Sequence, residues 1–169
     1  MQNGDKVCRT AGWTRRVQVR GKDRKTALDR FKKVLQKWRL KMPATEPLLL
    51  DFGLKDFYKT GLIECWIANE NREGYCGKFL YVFPGQTCPY HHHNFKHETF
   101  FVVKGSVEMK AGSRKRIMKE GDVLVMGQGT GHSFTGRERD GALLLEVSRP
   151  CRPGDSIFEN RRIGRNGII

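Results

Sequence analysis

The sequence predicts an all-β protein, a barrel or sandwich in one domain, preceded by a single amphipathic helix. Three observations lead there. Short β-rich stretches recur at spacings near ten residues with turn residues between them, the pattern of an antiparallel barrel or sandwich. Helical periodicity is confined to one segment near the N-terminus. Strands and helices do not alternate, which argues against a parallel α/β sheet. A length of 169 residues suits one domain with a proper core and is short for two.

Residues 1–21 show no sustained period and read as irregular. From Lys22 to Met42 the apolar residues Leu28, Phe31, Leu35, Trp38 and Met42 recur at steps of three and four, one face of a helix. Lys32, Lys33, Lys37, Arg39 and Lys41 cover the remaining surface, and Pro43 is expected to end the helix. Such a helix packs its apolar stripe on the domain beside it. After a linker from Pro43 to Pro47 the texture changes, which divides the chain into a basic arm and helix (1–47) and a barrel with a C-terminal tail (48–169). Leu48-Leu49-Leu50 and Phe57-Tyr58 lead into β-rich stretches at 61–68, 76–83, 98–110, 121–127 and 141–148. Glu-Gly at 73–74, Pro-Gly at 84–85, Ala-Gly at 111–112, Glu-Gly at 120–121 and Asp-Gly at 140–141 mark the turns between them. The tail, 149–169, is basic and ends in Ile168-Ile169, able to wrap back over the barrel or onto a partner.

Apolar residues at 38% and charged residues at 30% describe a soluble globular chain. No apolar run approaches the roughly 18 residues of a membrane helix. The N-terminus has no secretory leader, so a cytoplasmic protein without membrane contact is expected. The five cysteines, Cys8, Cys65, Cys76, Cys88 and Cys151, form no CxxC pair, which speaks against a disulfide framework and a thiolate zinc site. Cys88 lies near the histidines, but a small buried apolar residue is the better reading. The net charge of +14 is concentrated at the start: residues 1–47 carry 14 Lys/Arg against four acids, leaving +4 for the remainder. Without a zinc finger or interleaved aromatics, that charge reads as a solvated basic face rather than a nucleic-acid surface. A homodimer is the expected assembly.

All five histidines fall in two places: His91, His92, His93 and His97 together, and His132 alone. On a strand His91 and His93 share one face and His92 takes the other. Two imidazoles on one face, with Glu98 a hairpin's distance on, suit Zn²⁺, Mn²⁺, Fe²⁺, Co²⁺ or Ni²⁺ with positions left for water or substrate. The glycines of Gly127-Gln-Gly-Thr-Gly-His132 permit a tight turn that would aim His132 inward. The spacing is specific. Gly85, five residues, His91-His-His93, four residues, Glu98, six residues and Gly105 resemble the first motif of the cupins at every fixed position. Gly121-DVLVM-Gly127-QGTG-His132 resembles the second. It departs at Gly127, usually proline, and at Gly136, often asparagine; both concern turns rather than ligands. The resemblance implies a cupin barrel with a metal held by His91, His93, Glu98 and His132.

Over about residues 75–163 the chain resembles the bacterial D-lyxose isomerases more closely, through YCGKFLYVFPGQTCPYHHHNFKHETF, GTGHSF and LLLEVSRPCRPGDSIFENRRI. That resemblance implies a Mn²⁺-type site interconverting an aldose and a ketose, with Lys96, Glu146 and Asp155 at the positions of three further polar residues of the family. Glu146 would shuttle the proton between C1 and C2 of a small sugar substrate, Lys96 would stabilise or protonate the oxyanion, and Asp155 would bind a sugar hydroxyl. The residues alone leave Glu146 inside or outside the barrel, and Lys96 in the site or in solvated loop. Lys78 and Arg162 are weaker candidates. Competing functions are an Fe(II) cupin dioxygenase, a non-catalytic sugar- or nucleotide-sugar-binding cupin, and a phosphosugar isomerase, for which no phosphate cradle is evident.

Overall fold

The computed structural model describes residues 16–169; the first fifteen residues, and with them most of the expected irregular basic arm, lie outside the described residues. Residues 16–20 are tied to the sheet, since the Val19 amide donates to Leu49 O at 2.9 Å and Gln18 bridges to Leu50. One helix follows, α1 (Gly21–Trp38). It ends a turn earlier than the expected Met42. Arg39 turns into the left-handed region (φ 55°), and the amides of Arg39 and Leu40 donate to Gln36 O and Leu35 O. This pair of bonds satisfies carbonyls at the helix end and reverses the chain. With Arg in place of the usual glycine, the sequence carries no mark of it. Ala27 and Phe31 are buried, and the Phe31 ring lies 4.7 Å from that of Tyr81.

Ten strands follow: β1 (Leu48–Leu50), β2 (Leu62–Glu70), β3 (Tyr75–Val82), β4 (Thr87–His92), β5 (His97–Ala111), β6 (Arg114–Lys119), β7 (Val123–Met126), β8 (His132–Gly136), β9 (Ala142–Arg149) and β10 (Ile157–Phe158). Their pairing order is β1-β2-β3-β9-β5-β8-β4-β10, with β6 and β7 also on β5, and every strand-to-strand pairing is antiparallel. The long β5 joins the two sides of the barrel. Its first half pairs with β7 and β9, its second half with β6 and β8. The change of side is made at Gly105, where φ is +75° and a Cβ would lie 2.3 Å from Gly141 O. Only glycine fits there. The glycines of all five expected turns, at 74, 85, 112, 121 and 141, also have positive φ.

Strand alternation builds two apolar clusters on the two faces of one sheet. Leu62, Leu80, Val82, Phe100, Val102 and Leu144 point into the barrel. Ile63, Tyr81 and Leu143 point outward and meet Phe31 of α1. The tail does wrap back on the barrel: β10 pairs with β4, and Ser156 and Ile169 exchange backbone hydrogen bonds at 3.0 and 3.2 Å. Among the described residues no helix is long and apolar enough to cross a membrane.

Candidate functional site

The two histidine motifs meet at one end of the barrel. His91 lies near the end of β4, His93 just beyond it, Glu98 at the start of β5, and His132 opens β8 directly opposite His91. The Gly129 amide donates to His93 O at 2.7 Å, fastening one motif's loop to the other. All four side chains are buried, and the three histidines bring ligand atoms within 4.8 Å of one another.

The ring orientations fix what these atoms offer. His91 Nδ1 lies 2.8 Å from Pro89 O, His93 Nδ1 2.7 Å from Asp155 O, and His132 Nδ1 3.1 Å from Thr130 O. A carbonyl only accepts, so in each neutral ring the hydrogen sits on Nδ1 and Nε2 carries a lone pair. His91 is held neutral: burial and the neighbouring His132 and His93 push its pKa well below the usual imidazole value. In that tautomer two Nε2 lone pairs face the Glu98 carboxylate, with His93 Nε2 3.2 Å from Oε1 and His132 Nε2 3.2 Å from Oε2. Glu98 Oε2 and His132 Nε2 are the two buried side-chain polar atoms without a hydrogen-bond partner among the described residues. Desolvated acceptors converging without a donor are unfavourable unless a cation lies between them. The donor set, three imidazoles with one carboxylate, fits a divalent metal of the Mn²⁺, Fe²⁺, Zn²⁺ class.

Beyond these four residues lies a cavity of about 440 Å³, including the part that opens to solvent. Its walls mix the apolar Leu50, Leu62, Phe100, Phe158 and Ile169 with the charged Glu64, Lys78, Lys96 and Glu146. Glu146 faces inward from β9, so the alternative of a surface residue does not hold. Burial pushes its carboxyl above the ordinary range, with Lys78 opposing and Glu98 adding to the shift. Ser148 donates to its Oε1 at 3.0 Å. Lys96 is buried in the cavity wall rather than solvated, with Nζ 3.7 Å from Glu98 Oε1.

Lys78 and Glu64 contribute more than the sequence suggested. Lys78 Nζ donates to Glu64 Oε1 at 3.1 Å and lies 3.4 Å from Glu146 Oε2, bridging two carboxylates. Burial opposes its charge, but Glu146 and Glu64 outweigh that and hold its pKa well above the usual lysine value. Glu64 went unnoticed although it sits in the inward phase of an apolar strand, between Leu62 and Trp66. A charged residue in that phase was the available cue. Arg162 is exposed in the tail and does not line the cavity.

Asp155 requires a correction. It does not line the cavity. Its carboxylate accepts from the amides of Asn94 (3.0 Å to Oδ1), Phe95 (3.2 Å to each oxygen) and Lys96 (2.8 Å to Oδ2). A carboxylate saturated by three backbone donors is not free for a sugar hydroxyl; it holds the turn between His93 and Lys96. Cys88 lines the cavity as a buried thiol whose pKa burial pushes well up, which suits an apolar wall rather than a thiolate ligand. Gly136, the departure from the second motif, has a steric reason: a Cβ there would lie 2.4 Å from Phe83 O.

The barrel with its paired histidine motifs defines a cupin, and the profile of the Cupin domain matches residues 79–148. A D-lyxose/D-mannose isomerase of Thermosediminibacter oceani is 31% identical over 142 residues, covering 68% of this chain and 77% of that protein. A D-lyxose ketol-isomerase of Cohnella laeviribosi is 27% identical over 181 residues, covering 89% and 98%. The chain belongs to the D-lyxose isomerase family of cupins. Among solved structures, an L-ribose isomerase of Acinetobacter sp. DL28 in complex with L-ribose superimposes with a TM-score of 0.62 at 15% identity, covering 79% of this chain and 82% of that one. KdgF from Halomonas sp. gives 0.50 at 21% identity, covering 54% and 80%. At such identities the likeness speaks for the fold.

Proposed function

We propose that this protein is a metal-dependent aldose–ketose isomerase acting on a free pentose or related hexose, with D-lyxose and D-xylulose as the first pair to test. The observation that carries this reading is the cavity in which an inward carboxylate with raised proton affinity, Glu146, faces the imidazole–carboxylate cluster. The names of the similar isomerases support the same reading.

His91, His93, Glu98 and His132 would hold the ion, Mn²⁺ first and otherwise Zn²⁺, Fe²⁺, Co²⁺ or Ni²⁺. Once bound, it supplies Lewis acidity toward the substrate's O1 and O2. The remaining work belongs to the chain. Glu146 removes the C2 proton of the aldose, leaving an enediol(ate), and returns it to C1 while the hydroxyl proton passes from O2 to O1. A raised carboxyl pKa suits a group that must both take and give a proton near neutrality. Lys96 and Lys78 present positive charge where the enediolate develops its negative charge. Phe100, Phe158 and Leu62 exclude water and so strengthen those interactions. Asp155 positions His93 and Lys96. We also read residues 1–47 as an arm and helix docked on a barrel spanning 48–169, in a cytoplasmic enzyme.

The test is anaerobic turnover of an aldose and ketose panel after Mn²⁺ loading, with metal content measured first. Interconversion without oxygen is expected. It should fall by about two to four powers of ten in Glu146→Gln at unchanged metal content. Oxygen-dependent turnover would assign the site to a dioxygenase instead. Sugar binding without turnover, indifferent to Glu146→Gln, would make it a binding protein.

A further inference from the structure

Within the cavity lining, charged and apolar side chains form connected groups of their own. Lys78 joins Glu64 and Glu146 across β2, β3 and β9, and Lys96 pairs with Glu98. The segments outside the central strands contribute Leu50 from β1, Phe52 just after it, Phe158 from β10 and Ile169 from the tail. Leu50, Phe52 and Phe158 belong to one buried cluster, and Ile169 packs against it. The Phe158 ring stacks on His91 at 4.8 Å and meets the Phe52 ring at 5.4 Å, so this apolar group begins beside the histidines and continues to Phe52. Ser156 is the one polar side chain that these segments add to the lining. Their placement is specific. Phe52 has φ +57°, a conformation that bulky residues seldom adopt, and the Asp51 and Phe52 amides hold it there by donating to Val17 O at 3.0 and 3.2 Å. Ile169 is fixed by its paired backbone bonds with Ser156. The turn that delivers it needs glycine at 164, where φ is +55° and a Cβ would lie 2.7 Å from Ile169 Cγ1. Strain kept in a cavity wall points to a use there beyond packing.

We infer that the wall of Leu50, Phe52, Phe158 and Ile169 receives the end of the sugar remote from the reacting carbons and selects a methyl group there over a hydroxymethyl. The substrate class this defines is a 6-deoxy aldohexose in preference to the hexose of the same configuration. The inference rests on the isomerase reading, which sets C1 and C2 between the imidazole–carboxylate cluster and Glu146. With that end of the sugar among the charged groups, the apolar group is left for the carbons at the other end. A hydroxyl on C6 gives up its water there and finds Ser156 alone, which the C5 hydroxyl needs as well. One side-chain hydroxyl cannot replace the water lost by two sugar hydroxyls, and an unmatched polar group in such a place is unfavourable. A methyl group has no such partner to lose, and its burial is favourable. A pentose has no C6 and escapes the conflict altogether.

Kinetics and calorimetry on the Mn²⁺-loaded full chain test it, with D-lyxose, D-mannose and 6-deoxy-D-mannose as the sugars. The kcat/KM for 6-deoxy-D-mannose should exceed that for D-mannose by about 10–100-fold, within what an apolar pocket achieves against an added hydroxyl. Dissociation constants from calorimetry should rank the two sugars the same way, a measure that needs no turnover and no substitution. Ile169→Thr keeps the β-branched shape and adds a hydroxyl to the wall, so it should bring the two sugars within about threefold of each other. Ile169→Val, which adds no hydroxyl, should keep the preference. Turnover of D-lyxose together with a D-mannose rate equal to or above that of its 6-deoxy analogue would overturn the inference and leave the isomerase reading standing. A preference unchanged in a folded Ile169→Thr would overturn it too, because the selection would then arise elsewhere in the cavity. No turnover of any of the three sugars would overturn the isomerase reading, and the ranking of dissociation constants would still decide this one. Absence of sugar binding would overturn both.

Discussion

Replacing Asp155 by Asn separates two readings of one residue. Asn keeps one carbonyl oxygen, which can still accept from Asn94 and Phe95. It puts an amide NH₂ where Oδ2 now accepts from Lys96 at 2.8 Å and Phe95 at 3.2 Å. Two charge-assisted bonds are lost, and donors face donors in a buried position. Hydrogen bonds to a charged group contribute about 1.5–3 kcal/mol each and are not additive, so a loss of about 2–4 kcal/mol is expected. For a chain of this size that corresponds to a fall of roughly 5–15 °C in Tm. The same turn carries His93, whose Nδ1 donates to the Asp155 carbonyl. Metal affinity should therefore weaken by about 10–100-fold, the usual consequence of disturbing a ligand's outer partner. Thermal melts and chelator competition measure both quantities. At saturating metal the KM for sugar should change little. Unchanged melting and metal affinity with a tenfold rise in KM would refute the reasoning and return Asp155 to direct contact with a sugar hydroxyl.

Alanine at His91, His93 or His132 should abolish stoichiometric metal binding in a folded barrel, as read by metal analysis of the purified variants. His92→Ala should leave it largely intact, because strand alternation turns that side chain away from the cluster. Glu64→Gln and Lys78→Met should move the acidic limb of the pH–rate profile in opposite directions. In the proposed reaction Glu146 is the group that must be ionised to act as base, and burial has already raised its pKa. Lys78 lowers that pKa, so its loss raises it further and shifts the limb to higher pH; Glu64 raises it, so Glu64→Gln shifts the limb to lower pH. Equal shifts, or changes confined to KM, would remove Lys78 and Glu64 from the control of Glu146.

The clustering of His91, His93, Glu98 and His132 was legible because its geometry is local. A two-residue step on a strand places His91 and His93 together whatever the rest of the chain does, and Glu98 and His132 follow at fixed distances along two hairpins. The turns at Gly74, Gly85, Gly112, Gly121 and Gly141 were legible for the same reason. Asp155 was visible as an acid before Ile157-Phe158 but not as a clamp. Its role depends on a tail that returns some 60 residues later in sequence to meet the turn at Asn94. Glu64 and Lys78 sit in no motif. Their significance comes from a register that sets Lys78 opposite Glu146 across β3 and β9 and brings Glu64 alongside on β2. Each of three adjacent strands places a charged residue in its inward phase, which only the pairing order reveals. The early end of α1 was hidden because Arg39 adopts a conformation its residue type seldom signals.

That register has a consequence for charge. The imidazoles aside, the cavity encloses Glu64, Glu98 and Glu146 against Lys78 and Lys96. All three carboxylates ionised leave one negative charge in a partly dry enclosure, beside two imidazole lone pairs turned toward Glu98. A bound dication would reverse the sign to a single positive charge, and a singly charged enediolate would then bring the enclosure to neutrality. In the proposed isomerisation a neutral sugar would gain nothing comparable on entering, so the attraction would grow as charge develops on the reacting oxygens. Interactions stronger in the transition state than in the ground state are those that accelerate a reaction. The second lysine is necessary to this balance. Without Lys78, Glu64 and Glu146 would face each other with less compensation, and Glu146 would take up a proton before it could accept one from C2.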